Sequence, residues 1–228
     1  MLTGYTDPSG ATSVTRDLPG RVSQVKYPGN RTLGYTWDPV GNLNTVTYAD
    51  NTQALYSYDA ENRITSLKDP KNDITVFTYD SNGNLLSRLL PNGEETCYIY
   101  DELNRVVAQT EGDYAITYAY DSMGNRVEEN RETSGRFMFG RDKRPVIGAF
   151  AYEYDEINRL VKVNHPNFGM INYEYDSLGN MVREIGSGWE ITYGYNGFNQ
   201  LLQRQDNRTT TDYNYNNRGN LVLTIQYR

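Results

Sequence analysis

The chain says nearly the same thing every 21 residues. Aligned on one acid, Asp17, Asp38, Asp59, Asp80, Asp101, Asp121, Asp155 and Asp176 are followed by Asn196 and Asn216 in the same role, at intervals of 21, 21, 21, 21, 20, 34, 21, 20 and 20 residues. A fixed period of this length makes each copy one supersecondary unit that buries its apolar face only by stacking on its neighbours. From the second copy onward the third residue before the acid is aromatic: Tyr35, Tyr56, Phe77, Tyr98, Tyr118, Tyr152, Tyr173, Tyr193 and Tyr213. So is the residue immediately before it: Trp37, Tyr58, Tyr79, Tyr100, Tyr120, Tyr154, Tyr175, Tyr195 and Tyr215. Two aromatics at i and i+2 share one face of an extended strand but lie about 200° apart on a helix, so each copy predicts a strand. The intervening residue is mostly polar or small, as suits an opposite face turned to water.

Three residues after the acid, all ten copies carry only glycine or asparagine: Gly20, Gly41, Asn62, Gly83, Asn104, Gly124, Asn158, Gly179, Asn199 and Gly219. These two residues share a tolerance for positive φ, which predicts a left-handed backbone there. The acid can accept hydrogen bonds from amides just downstream, as in an Asx turn, and asparagine does the same without a charge. A carboxylate doing catalysis or holding a metal would not survive the change to Asn seen at Asn196 and Asn216; a turn-maker does. Two residues beyond the Gly/Asn position the chain is apolar in nine of ten copies, Arg126 being the exception, so a second strand starts there. It runs to a turn signal such as "PGN", "ADN", "DPKND" or "PNG".

The predicted fold is therefore all-β: about ten tandem β-hairpin repeats from residue 14 to 221, forming a curled or spiral sheet strip within a single repeat domain over 1–228. Corner loops alternate between "GN" at 41, 83, 124, 179 and 219 and an "NR"-like type at 20, 62, 104, 158 and 199, so the larger unit is about 42 residues. The 34-residue interval predicts an irregular or decayed repeat over 127–151, with Phe139 and Asp142 in phase but Arg141 in place of the second aromatic. Roughly 20 strands at about 4.8 Å each make a sheet on the order of 95 Å wide. Closed into one ring it would leave a bore of roughly 8 to 9 Å radius, too narrow to enclose a domain whose radius of gyration is near 13 Å. Open edges make self-association an expected property.

Composition narrows the function. Among 228 residues there are 21 Tyr against 6 Phe, 16 of those tyrosines lying in the motif, so most aromatic surface carries a hydroxyl that needs a partner. The net charge is −7, with Lys and Arg scattered singly, which excludes a phosphate-binding stripe and hence nucleic acid as a partner. The only cysteine, Cys97, excludes an intrachain disulfide and reads as a small core residue. The N-terminal stretch has no apolar run suited to a signal peptide, and no segment approaches the roughly 20 apolar residues of a membrane helix, so no membrane insertion is expected. His165, the only histidine, lies in a turn and is no base for a triad. Ligands for zinc are missing, loops such as "DSNGN" lack the ordered acids of a calcium loop, and no cofactor is implied.

The phrases "YSYDAENRI", "YAYDSMGNRV", "YEYDEINRL" and "YEYDSLGNM" resemble the tyrosine-aspartate (YD) repeat, also called the RHS (rearrangement hot spot) repeat, of bacterial polymorphic toxins, insecticidal toxin-complex shells and teneurins. The resemblance implies a hairpin strip that winds into a shell, a secreted or surface parent and, in complete members, an enclosed C-terminal domain or neighbouring repeats as partners. Full members also carry an Asp-Pro-containing closing region linked to self-cleavage. Here "GRFMFGRD" echoes it without the Asp-Pro and is followed by four more repeats, so Asp142 is not assigned catalysis. The expectation is a non-catalytic scaffold; the alternative is a carbohydrate-binding or cell-surface recognition module in which rows of Tyr, with Trp37 and Trp189, stack on sugar rings.

Overall fold

The computed structural model describes residues 3–134 and 146–228, and of Asn30 only the backbone. Contacts divide the chain into two compact units, Met1–Arg105 with Thr110–Gly112 and Val106–Gln109 with Asp113–Arg228. The first holds β1 (Gly4–Asp7), β2 (Gly10–Arg16), β3 (Val22–Lys26), β4 (Thr32–Trp37), β5 (Leu43–Thr47), β6 (Gln53–Tyr58), β7 (Ile64–Lys68), β8 (Ile74–Tyr79), β9 (Leu85–Leu89) and β10 (Glu95–Tyr100). β11 (Val106–Glu111) falls at the division. The second holds β12 (Tyr114–Tyr120), β13 (Arg126–Thr133), β14 (Gly148–Tyr154), β15 (Leu160–His165), β16 (Gly169–Tyr175), β17 (Met181–Gly186), β18 (Trp189–Tyr195), β19 (Leu201–Asp206), β20 (Thr210–Tyr215) and β21 (Leu221–Tyr227).

Within each unit every strand pairs antiparallel with the next in sequence, so both are simple meanders of hairpins and the class is all-β. No helix among the described residues is long and apolar enough to cross a membrane. Strands begin at Gly4 and continue to Tyr227, beyond the span from 14 to 221 that the motif marks out.

Burial alternates as the aromatic spacing requires. In β6, Ala54, Tyr56 and Tyr58 turn inward while Gln53, Leu55 and Ser57 are exposed. Buried apolar side chains sit mid-strand as cross-strand partners: Val46 opposite Ala54 in the first unit, Val163 opposite Ile171 in the second. Such pairs are the working unit of sheet cohesion, at about 0.2–1 kcal/mol each.

The 34-residue interval contributes two described strands, β13 and β14. β13 pairs directly with β14, Glu128 opposite Ala151 and Arg131 opposite Gly148; Phe139, Arg141 and Asp142 lie outside the described residues. Here cohesion changes character. Glu129 is only 2% exposed, between Tyr118 on β12 and Phe150 on β14. Its carboxylate meets Arg126 Nη1 at 2.9 Å, pairs with Arg131 Nε, and accepts from the Tyr152 hydroxyl at 3.5 Å. Arg126 lies over the rings of Tyr118 and Tyr152, and Arg131 over Phe150. The arginine that breaks the apolar pattern in sequence is therefore the counter-ion of a buried acid.

The tyrosine-aspartate corner as candidate functional site

Each corner begins as a backbone turn. The amide of Asp59 donates to the Arg63 carbonyl at 3.0 Å and the amide of Asn62 returns to the Asp59 carbonyl at 3.1 Å. This is a type I turn closed by one left-handed residue, a common hairpin connection. That residue has φ of 59–63° at Asn62, Asn104, Asn158 and Asn199, and 80–105° at Gly20, Gly41, Gly83, Gly124, Gly179 and Gly219. The first range is the left-handed region that Asn enters; the second lies beyond it, where a Cβ is strained. A β-bulge follows, with Thr65 as the extra residue between the pairs Ser57–Ser66 and Tyr58–Ile64, and the same shift recurs at the other corners whose ladders are described.

The acid holds this turn. Asp38 Oδ1 accepts from the amides of Val40, Gly41 and Asn42 at 2.8–3.0 Å, and Oδ2 accepts from Asn42 Nδ2 at 3.0 Å. Asp59 Oδ1 takes the amides of Glu61 and Arg63, and Oδ2 takes Arg63 Nε at 2.7 Å. At Asp17, Asp38 and Asp59 partial burial is the largest single influence and opposes ionisation, but the hydrogen bonds together outweigh it. At Asp80, Asp101, Asp121, Asp155 and Asp176 the residue four places on leads, through its side chain or amide. All eight carboxyls consequently sit below the usual range. Where the acid is Asn196, Oδ1 still accepts from the amides of Phe198 and Gln200, and its Nδ2 donates to Gln200 Oε1 at 2.8 Å. Asn216 Oδ1 takes the amides of Arg218 and Asn220.

The second aromatic joins one hairpin to the one before it. The β5–β6 ladder begins at Thr45, so no strand amide of β6 serves the Leu43 carbonyl; the Tyr58 hydroxyl donates to it at 2.9 Å. The same bond, at 2.7–3.0 Å, runs from Tyr79 to Ile64, Tyr100 to Leu85, Tyr120 to Val106, Tyr154 to Arg126, Tyr175 to Leu160, Tyr195 to Met181 and Tyr215 to Leu201. Trp37 does it with Nε1 to Val22, at 2.8 Å. Partial burial, with Tyr56 and Asp38 nearby, raises the Tyr58 phenol above its ordinary value and keeps it a donor. The first aromatics, Tyr35, Tyr56, Phe77, Tyr98, Tyr118, Tyr152, Tyr173, Tyr193 and Tyr213, are half-buried on the same face.

Corner-to-corner ties account for the alternation of loop types. In a GN corner the Asn side chain reaches forward: Asn42 Nδ2 to Asn62 Oδ1 at 2.8 Å, Asn84 to Asn104 at 2.7 Å, Asn125 to Asn158 at 2.9 Å and Asn180 to Asn199 at 3.1 Å. The receiving corner therefore needs Asn at its left-handed position. From an NR-type corner the next tie goes to backbone: Arg21 Nη1 to the Asp38 carbonyl at 3.0 Å, Arg63 to Asp80 at 3.1 Å and Arg159 to Asp176 at 3.4 Å, with each guanidinium over the following second aromatic. A backbone acceptor asks nothing of the side chain, so glycine suffices. Gln200 closes the series, Nε2 to the Gly219 carbonyl at 3.3 Å.

The residues weighed for chemistry lie apart. Cys97 is half-buried in β10. His165 ends β15, its Nδ1 accepting from the amides of Asn167 and Phe168. Trp189 packs over Gly186, where a Cβ would come within 2.2 Å of the ring. Among the described residues no group of three or more His, Cys, Asp or Glu is placed to hold a metal ion.

No match was found among curated proteins. Solved structures do match: the crystal structure of TcdB2-TccC3 at 17% identity over 99% of this chain and 16% of that one, TM-score 0.65; TcdB2-TccC3 without its hypervariable C-terminal region at 16% identity over 96% and 13%, TM-score 0.57; and a Tc holotoxin pore of Photorhabdus luminescens at 17% identity over 96% and 13%, TM-score 0.58. Identities this low speak for the fold alone, and this chain spans no more than 16% of the length of these three chains. The teneurin YD-shell model matches residues 5–98 and 93–220, which together take in all ten corners. With its tyrosines, acids and left-handed residues locked in one recurring corner, this chain belongs to the teneurin YD-shell family.

Proposed function

We propose that the chain is a non-catalytic wall module of a YD shell, residues 1–228 acting as one array of repeats in a secreted or surface protein. Its partners are further repeats and a domain enclosed by the completed shell. One observation carries this reading: at the Asp corners both carboxylate oxygens are engaged within the turn, Oδ1 by amides and Oδ2 by the side chain four residues on. An acid so occupied is a poor proton carrier and a good strut.

The test is substitution at corners in the protein that carries the module. Asp80→Asn and Asp176→Asn keep the amide acceptor and should leave folding and biological activity intact, as Asn196 and Asn216 do naturally. Gly83→Val should lower stability by more than about 1 kcal/mol. Loss of activity in the Asp→Asn variants with the strand spectrum preserved would give the carboxylates a chemical role and overturn the reading.

A further inference from the structure

The tips of the corners carry a pattern that the turns do not require. Two residues after the acid or its Asn replacement, the second unit presents Met123, Ile157, Leu178 and Phe198, each 68–88% exposed. The turn itself is indifferent to the side chain there: Glu61 and Asn82 take the same place in the first unit, with the same amide-to-acid bond at 2.9–3.0 Å. Four large apolar side chains at consecutive corners therefore answer to something outside the hairpins. Their backbones are fixed, because each amide donates to the Asp or Asn oxygen at 2.9–3.1 Å. Their corners are neighbours, because Asn125 reaches Asn158, Arg159 reaches the Asp176 carbonyl and Asn180 reaches Asn199. Two strands per hairpin set the tips about 10 Å apart, so the four make a row on the order of 30 Å long.

We propose that this row is a self-association surface, on which a second copy of the chain seats its own row antiparallel about a twofold axis, each tip entering the gap between two tips opposite. Pitch is the argument for the occupant. A helix repeats its face about every 5.4 Å and a strand about every 6.8 Å, so both drift out of step along the row, whereas a second copy carries the same spacing by construction. A twofold contact of this kind is self-complementary and closes at the dimer. Tips this exposed offer on the order of 500 Å² per copy, so the interlocked pair buries about 1,000 Å², the lower limit of a specific interface. The dimer is accordingly weak, with a dissociation constant on the order of 10–100 µM. The surface lies at the ends of the strands and leaves the sheet edges free for further repeats.

Sedimentation velocity on the whole chain from about 1 to 500 µM should show a reversible equilibrium of monomer and dimer. Leu178→Glu and Phe198→Asn, which bring the residue types of Glu61 and Asn82 to the tip, should each weaken the dimer about tenfold. The double variant should stay monomeric throughout, with its far-ultraviolet strand spectrum unchanged. Val222→Lys, on the exposed strand β21, should leave the equilibrium as it is. A chain that is monomeric at every concentration, a dimer that survives the double tip variant, or one abolished by Val222→Lys overturns the proposal.

Discussion

The two ends of the hairpins from β3 to β10 use the same backbone turn and make different things of it. At the corner end an acid opens the turn, a left-handed Gly or Asn closes it, and side chains tie it to the next corner. At the far end Tyr48, Asp69 and Leu90 open turns with the same amide-to-carbonyl bonds and the same positive φ at Asn51, Asn72 and Gly93. Only Asp69 brings a carboxylate, which takes the amides of Lys71 and Asp73. The acid is thus not what makes the chain turn. What sets the corner apart is its link to its neighbours, and freedom from that link lets the far end vary.

An upper bound for any single change lies mid-strand, where neither turn contributes. Glu129→Ala leaves Arg126 and Arg131 facing each other across a space emptied of their counter-charge, and should cost about 3 kcal/mol in denaturant unfolding. At a corner, Gly83→Val forces a branched residue to φ of 91° and should destabilise by more than about 1 kcal/mol; unchanged stability would mean the corner relaxes at no cost.

Acid discriminates among the corners themselves. The eight Asp carboxyls are held below the ordinary value of about 3.9, so their contribution is complete above that pH and is lost as pH falls through the lower folded values. The amides of Asn42 and Asn180 should lose hydrogen-exchange protection below about pH 3, after correction for intrinsic rates, while those of Gln200 and Asn220, bound to Asn side chains, should not. Equal loss at all four would show that the carboxylates do not govern the turn. The smallest effect belongs to the loop tips. Leu178 is 68% exposed two residues after its acid, and Leu178→Ser should change stability by less than about 0.5 kcal/mol.

What the sequence disclosed was local. Strand character, the amide-accepting acid and positive φ three residues on all operate within five residues, and a repeated phrase makes them readable ten times over. What it concealed connects positions further apart. The hydroxyl of Tyr58 meets a carbonyl 15 residues earlier, and Asn42 meets Asn62 across 20. A trace of the first was present: the aromatic before the acid is always Tyr or Trp, each with a donor, whereas the earlier position admits Phe77. The alternation of Gly-Asn with Asn-Arg was a trace of the second, since Asn stands at the left-handed position where the preceding corner offers an amide. Across the 34-residue interval the tie between corners was as hidden as elsewhere. Asn125 bound to Asn158 makes the corners at Asp121 and Asp155 neighbours. Glu129 looked like any other strand glutamate until Arg126, Arg131 and Tyr152 closed around it.

The link between hairpins is tested most directly by removing one oxygen at a time. Tyr58→Phe, Tyr79→Phe and Tyr175→Phe each keep the ring and delete the donor to the preceding carbonyl. Urea unfolding should show a loss of about 1 kcal/mol for each; Tyr58→Phe and Tyr79→Phe should couple, because Ile64, whose carbonyl accepts from Tyr79, pairs across the strands with Tyr58, whereas Tyr58→Phe and Tyr175→Phe, which share no partner, should add. A triple variant as stable as the parent would contradict the claim that these tyrosines fasten each hairpin to the last.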